Sequence, residues 1–158
     1  MRLTLAKMPS LRGVHRLPQM LQALQFSLPA TGLALDVPGH TDLVLITRHR
    51  MTILNGLHLH HQGATDVITY DLRDGFTLQP SNFEPLLAEI YVCPEVAIEQ
   101  APQFGETPSR ELFRYAVHGL LHLAGEDDQT SEALASMRRA EARVLTYAET
   151  RYRLEGFL

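Results

Sequence analysis

The chain has one cysteine, Cys93, and one lysine, Lys7, among its 158 residues. A single thiol rules out an intrachain disulfide and excludes zinc sites built from several thiolates. There is no basic excess either. Fourteen lysines and arginines stand against 18 acidic residues, a net charge of -4 with histidines neutral. A general cationic coat for nucleic acid is therefore absent, and any RNA contact must come from a local patch. No apolar run approaches the roughly 18 residues of a membrane-spanning helix. The N-terminal stretch, broken by Pro9, Pro18 and Pro29, lacks the continuous apolar core of a secretion signal. Internal repeats and low-complexity tracts are missing as well. A soluble cytoplasmic protein with no membrane contact is the expectation. What is present suits a folded chain: 45% of residues are hydrophobic and 20% charged, which excludes general disorder. The length fits one domain spanning residues 1–158.

Apolar spacing divides the chain into strands in the first half and helices in the second. Residues 2–7 alternate weakly, as a short strand does. Residues 18–26 place Met20, Leu21 and Leu24 on one helical face behind Pro18. The prolines and glycines between Ser27 and His40 predict connection. Residues 42–47, 66–71 and 87–92 are rich in branched and aromatic side chains and predict three strands. A helix through Met51, Ile53, Leu54 and Leu57 lies between the first two, and 72–85 reads as a loop. In the second half, Thr107-Pro108-Ser109 is a helix start. The helix carries Leu112, Phe113, Ala116, Val117, Leu120 and Leu121 and stops at Gly125. A last helix begins near Thr130 and presents Ala133, Met137, Ala140, Val144 and Ala148. The fold class this predicts is α+β: a small mixed sheet of about four strands packed against helices.

One segment carries chemistry, V-H-G-L-L-H-L-A-G-E-D-D over 117–128. His118 and His122 are four apart on a helix, so their imidazoles project from one face a turn apart. That spacing suits two ligands of one metal ion. Gly125 can end the helix in the left-handed conformation and turn the chain back, bringing Asp128 toward the same ion. The order histidine, histidine, glycine, third ligand copies the spacing of extended zinc-protease motifs. Gly119 stands where those motifs carry the general-base glutamate. Histidines at this spacing are often ordinary surface or core residues, and a structural zinc is a further alternative. Structural sites usually have four protein ligands, however, whereas three leave a position for water. Three side chains and no second cysteine favour a hydrolytic site.

The same residues resemble the signature of the YbeY endoribonucleases, H-G-x-L-H-L-x-G-x-D-H. His118-Gly119-Leu120-Leu121-His122-Leu123-Ala124-Gly125-Glu126-Asp127 follow it, and Asp128 takes the place of the final histidine. Leu54-Asn55 followed by Thr65-Asp66-Val67-Ile68 is similar to the family's L-N…T-[DN]-V-[LI] stretch. Glu89-Ile90 before Val92-Cys93 more weakly resembles the family's G-[DE]-[IL]-x-[IV] strand, with Ala88 where glycine is usual. The matches fall in order across residues 42–150.

The resemblance implies one zinc ion on His118, His122 and Asp128, since carboxylate oxygen also binds zinc. It implies hydrolysis of single-stranded RNA, in maturation of the 3′ end of small-subunit ribosomal RNA and in ribosome quality control. Small-subunit RNA or the ribosome would be the partner. Leu59 stands where the family often has an arginine thought to contact RNA. Arg48, Arg50, His60 and His61 lie nearby in sequence and are the candidates for substrate contact. With His58, the latter two also admit a second metal cluster or plain loop histidines. No general base is identified. Two other functions fit the ligand spacing: a small zinc metalloprotease, opposed by Gly119, and a non-catalytic, zinc-stabilised module associated with the ribosome. Arg138, Arg139 and Arg143 on the last helix admit RNA contact, with a solvated face the commoner reading.

Overall fold

Among the described residues, four strands lie in the first part of the chain with two helices between them, and the helices that follow complete the α+β arrangement that the apolar patterns predict. The structure is a computed structural model and describes residues 1–58, 65–73 and 84–158, with the side chain of His58 outside that set. The elements are β1 (Arg2–Lys7), α1 (Leu17–Thr31), β2 (His40–Leu45), α2 (Arg48–His58), β3 (Val67–Asp71), β4 (Leu86–Val92), α3 (Pro94–Gln100), a 3-10 turn (Ala101–Phe104), α4 (Pro108–Leu123) and α5 (Ser131–Glu149). The strands form one mixed sheet in the order β1-β2-β4-β3. β1, β2 and β4 run parallel, and β3 closes one edge antiparallel to β4 with Val67 opposite Val92 and Asp71 opposite Ala88.

Parallel strands usually sit in sheets covered on both faces, yet β2 alternates half-buried and buried residues along its length. Thr41, Leu43 and Leu45 turn into the core, and His40, Asp42 and Val44 face the other way. One face of the sheet therefore carries the helices. α4 crosses β3 and β4, α1 packs on β1, and α5 lies against α1 and α4.

α4 is the centre of this layer. Thr107 Oγ1 caps it by accepting from Arg110 N–H at 3.2 Å, and Pro108 occupies the first turn. Leu112, Phe113, Ala116, Val117, Leu120 and Leu121 are all fully buried, as their spacing requires. Each of the larger ones contributes roughly 1.5–3 kcal/mol by leaving water. The helix that carries both histidines is thus the best-anchored element of the core.

α1 differs from its sequence pattern. It runs on to Thr31, through Pro29, where turn-forming residues predict connection. Packing overrides the local signal here: Ser27, Leu28 and Thr31 are buried in the extension. Ser27 Oγ donates to Ala23 O at 2.7 Å and Thr31 Oγ1 to Leu28 O at 2.7 Å, tying the proline-bearing turn together. The helix then stops at Gly32, which adopts a left-handed φ of 78°.

Cys93 is buried at the start of α3, and burial pushes its thiol up to about 11. No helix among the described residues is long and apolar enough to cross a membrane.

Candidate metal centre

The last turn of α4 determines where Asp128 goes. Gly125 has a φ of 97°, outside the range that other residues readily adopt. Its N–H donates to His122 O at 3.0 Å, and Glu126 N–H donates to Leu121 O at 3.0 Å. These two bonds make a Schellman reversal, which satisfies the helix's last carbonyls and folds the chain back over its own end. Ser136 Oγ donates to Glu126 Oε2 at 3.1 Å, fastening the reversal to α5.

The result is a cluster of three acceptor atoms. His118 Nε2 and His122 Nε2 are 3.0 Å apart. Asp128 Oδ2 lies 3.6 Å from the first and 3.9 Å from the second. The other ring nitrogens fix the tautomers. His118 Nδ1 is 2.7 Å from Glu141 Oε1, and His122 Nδ1 is 3.1 Å from the Glu126 carbonyl oxygen. Both partners accept, so both Nδ1 atoms must carry hydrogen and donate. In the neutral imidazoles that bind metals, each Nε2 then carries a lone pair facing the other ring's Nε2 and a carboxylate oxygen.

Three acceptors facing one point repel one another unless a cation sits among them. A position equidistant from the three atoms, in their own plane, lies about 2.1 Å from each, within the zinc–nitrogen and zinc–oxygen range of about 2.0–2.2 Å. The donor set therefore fits a divalent ion. The hydrogen bonds behind the rings are the kind that orient metal-binding histidines and raise their basicity.

Behind His118 is a buried charge network that its local sequence spacing does not reveal. Glu141, on α5, is 5% exposed and Glu111, on α4, is 1% exposed. Arg114 lies between them: Nε donates to Glu111 Oε2 at 2.9 Å and Nη1 to Glu141 Oε2 at 3.1 Å. Burial alone would raise the Glu141 carboxyl. The His118 hydrogen bond and the Arg114 guanidinium outweigh it and hold the group below its ordinary range.

Gly119 explains why the position beside His118 has no glutamate. A Cβ there would lie 2.6 Å from Ile90 Cγ2 and 2.9 Å from Thr69 Oγ1. The helix backbone presses on β3 and β4 at this point, leaving no room for a side chain. Gly119→Ala is expected to destabilise the fold by about 1–3 kcal/mol through overpacking. A urea midpoint equal to that of the unaltered protein would show that the helix and sheet can separate here without cost.

Two cavities meet at the triad. One, of about 820 Å³, runs along β3 from Thr65 to Asp71 and ends at His118, His122 and Asp128. The second, of about 540 Å³, opens on the other side of His118 and Asp128 and reaches Phe104 and Arg138. Asp66 borders both. β3 is an edge strand, so the first cavity follows an open sheet margin.

The residues expected to touch substrate are placed differently. Arg48 forms an ion pair with Glu99, and its N–H donates to Glu95 Oε2, so it is committed to α3. Arg50 lies on α2 close enough to Tyr91 for its charge to act on that phenol. Neither borders the two cavities just described. His60 and His61 lie outside the described residues.

The family described as Endoribonuclease YbeY matches residues 15–149. The Endoribonuclease YbeY of Salinibacter ruber is 35% identical over 77% of this chain and 76% of its own length. That of Renibacterium salmoninarum is 36% identical over 66% of this chain and 68% of its own. The solution structure of TM1509 from Thermotoga maritima has the same fold, with a TM-score of 0.56 over 94% of this chain and 92% of that one, at 22% identity. The metal-ready turn, the sheet that supports it and these matches lead to one conclusion: the chain belongs to the YbeY endoribonuclease family.

Proposed function

We propose that the protein is a metal-dependent endoribonuclease that cuts single-stranded RNA with one zinc ion held by His118, His122 and Asp128. Its cellular role in this reading is maturation of the 3′ end of small-subunit ribosomal RNA, with ribosome quality control, in the cytoplasm. The observation that carries the proposal is the convergence of three acceptor atoms whose tautomers are fixed from behind. A divalent ion there supplies Lewis acidity toward a phosphoryl oxygen and acidifies a coordinated water.

The chain's own residues do the rest. Glu141 and the Glu126 carbonyl hold the two rings with Nε2 facing the cavities. The cavities on either side leave room for a polymer to pass over the triad. A closed structural zinc would need a fourth protein ligand. Among the described residues the convergent group is His118, His122 and Asp128, which favours a reactive site over a purely structural one. The crowding at Gly119 opposes the protease alternative, because a general-base glutamate cannot be built there. Arg50, with Arg48, His60 and His61, remains the proposed outlying contact for the RNA backbone.

The test uses purified protein on a single-stranded RNA, with and without a chelator, beside His118→Ala. Cleavage should require the metal, vanish in the variant and return when zinc is restored to the unaltered protein. Cleavage that persists in metal-free His118→Ala would mark a contaminant. Zinc-loaded protein that binds RNA and never cuts it would instead favour the non-catalytic module. Binding should also weaken as salt rises, since the phosphates release counterions on contact.

A further inference from the structure

The smaller cavity beside the triad combines two features that nothing in the metal chemistry requires. Phe104 is 64% exposed, an unusual state for a phenylalanine held in a fixed turn. It ends the 3-10 turn Ala101–Phe104, where Gly105 N–H donates to Pro102 O at 3.3 Å and Glu106 N–H to Ala101 O at 3.0 Å. The turn joins α3 to the capped start of α4, so the ring stands on a rigid base.

The cavity is also lined by Arg138, exposed on α5, with no carboxylate partner among the described residues. The cations around it are already committed. Arg114 is held by Glu111 and Glu141, and Arg110 by Glu106 and Glu149. On the same helix, Arg143 borders a different groove and donates to Ala30 O. The β3 cavity differs: its flanking arginine, Arg73, is paired with Asp71 and donates to Leu123 O.

We propose that this cavity is a nucleotide subsite, with Phe104 stacking on a base and Arg138 binding the phosphate next to it. The proposal deepens the endoribonuclease reading and rests on it. An aromatic ring and a guanidinium lining one cavity match the base and the phosphate that single-stranded RNA offers at every nucleotide. At about 540 Å³ the cavity is in the size range of small-molecule sites, and it shares His118 and Asp128 with the triad. A strand crossing the metal thus leaves one flank here and the other along β3. A base locked in a duplex cannot stack on Phe104, so this subsite also provides a physical basis for single-strand preference.

The surrounding carboxylates limit how much of the affinity is electrostatic. Arg114 is shared by Glu111 and Glu141, and Arg110 by Glu106 and Glu149, so the wall keeps a negative excess to which Asp66 adds, and among the described residues Arg138 is the lining cation without an ion pair. Stacking should therefore dominate.

The experiment measures binding of a fluorescent single-stranded oligouridylate, and of its abasic counterpart, to zinc-loaded full-length protein over a range of salt. Phe104→Ala should weaken oligouridylate binding about 5- to 150-fold, the span of one base–aromatic stack, and Phe104→Trp should restore it. The abasic strand should bind the Phe104→Ala variant and the unaltered protein equally. Arg138→Ala should lower the slope of log affinity against log salt by about 0.7, one phosphate contact. Arg139→Ala, its neighbour, should change neither quantity. Zinc content and thermal unfolding, unchanged in each variant, exclude a folding effect. If the unaltered protein binds RNA and both Phe104→Ala and Arg138→Ala bind as well as it does, the subsite is overturned while the nuclease reading stands. Equal losses in Arg138→Ala and Arg139→Ala would also overturn it, as diffuse surface attraction. If the unaltered protein binds no RNA but takes up an extended peptide, both readings fail together.

Discussion

Asp128→Ala is expected to cost two to three powers of ten in zinc affinity, and Asp127→Ala no more than a few-fold. Apparent zinc binding in four-ligand sites is worth about 10–16 kcal/mol, so one ligand carries about 2.5–4 kcal/mol. Each 1.4 kcal/mol is a factor of about ten. The two aspartates are chemically identical neighbours, which makes the contrast informative. Asp128 Oδ2 faces both imidazoles, whereas Asp127 Oδ1 accepts from Asp128 N–H at 2.8 Å and is used within the turn. Competition against a chromophoric chelator measures the affinity directly. Asp128→His should retain the metal, because imidazole nitrogen also fits zinc. It adds one formal positive charge to the centre relative to the carboxylate, so a coordinated water should become more acidic and the rise of activity with pH should move to lower pH. Equal metal loss in both alanine variants would mean that the third ligand is misassigned.

The convergence of His118, His122 and Asp128 was legible in the sequence because the relevant signals were local. His118 and His122 are a helical turn apart, and Gly125 reverses the chain within three residues of the second ring. Short-range geometry of that kind follows from helix pitch and backbone allowance alone. The six apolar residues of α4 were legible for the same reason, as were the four strands, with ends shifted by a residue or two. The extension of α1 to Thr31 was not, since Pro29 and Gly32 signal a turn and only contact with the core says otherwise. Glu141 was hidden by distance, 23 residues from the ring it supports. A trace of it was present nonetheless: it falls between Met137 and Leu145 on the buried face of α5, and a carboxylate on an apolar stripe implies a partner. Glu111 on α4 leaves the same trace. Phe104 left none, because an apolar residue in a short turn reads as core until its exposure is known. The ion pairing of Arg48 was not legible either. Glu95 and Glu99 approach it only once α3 folds against α2.

The Glu141 network predicts a loss of metal affinity from a residue that never touches the metal. Glu141→Ala should weaken zinc binding about 10- to 100-fold, the usual effect of removing the group behind a metal-binding histidine. It should also lower stability, because Arg114 is left partly buried with one carboxylate in place of two, and unpaired buried charge is costly. Glu141→Gln separates the two effects. The amide keeps the volume of the side chain, but it has one accepting oxygen and must choose between His118 Nδ1–H and the Arg114 guanidinium. Its NH2 group then faces a donor on the abandoned side, so the network cannot be fully satisfied. If the oxygen stays with His118, zinc affinity falls modestly and stability falls more; if it stays with Arg114, the order reverses. In either case His118 loses the negative charge that makes its ring a better donor to the metal. Chelator competition reads the first quantity and thermal unfolding of the metal-free protein reads the second. Zinc affinity unchanged in both variants would show that helix packing alone holds the ring, and that Glu141 serves the fold without serving the site.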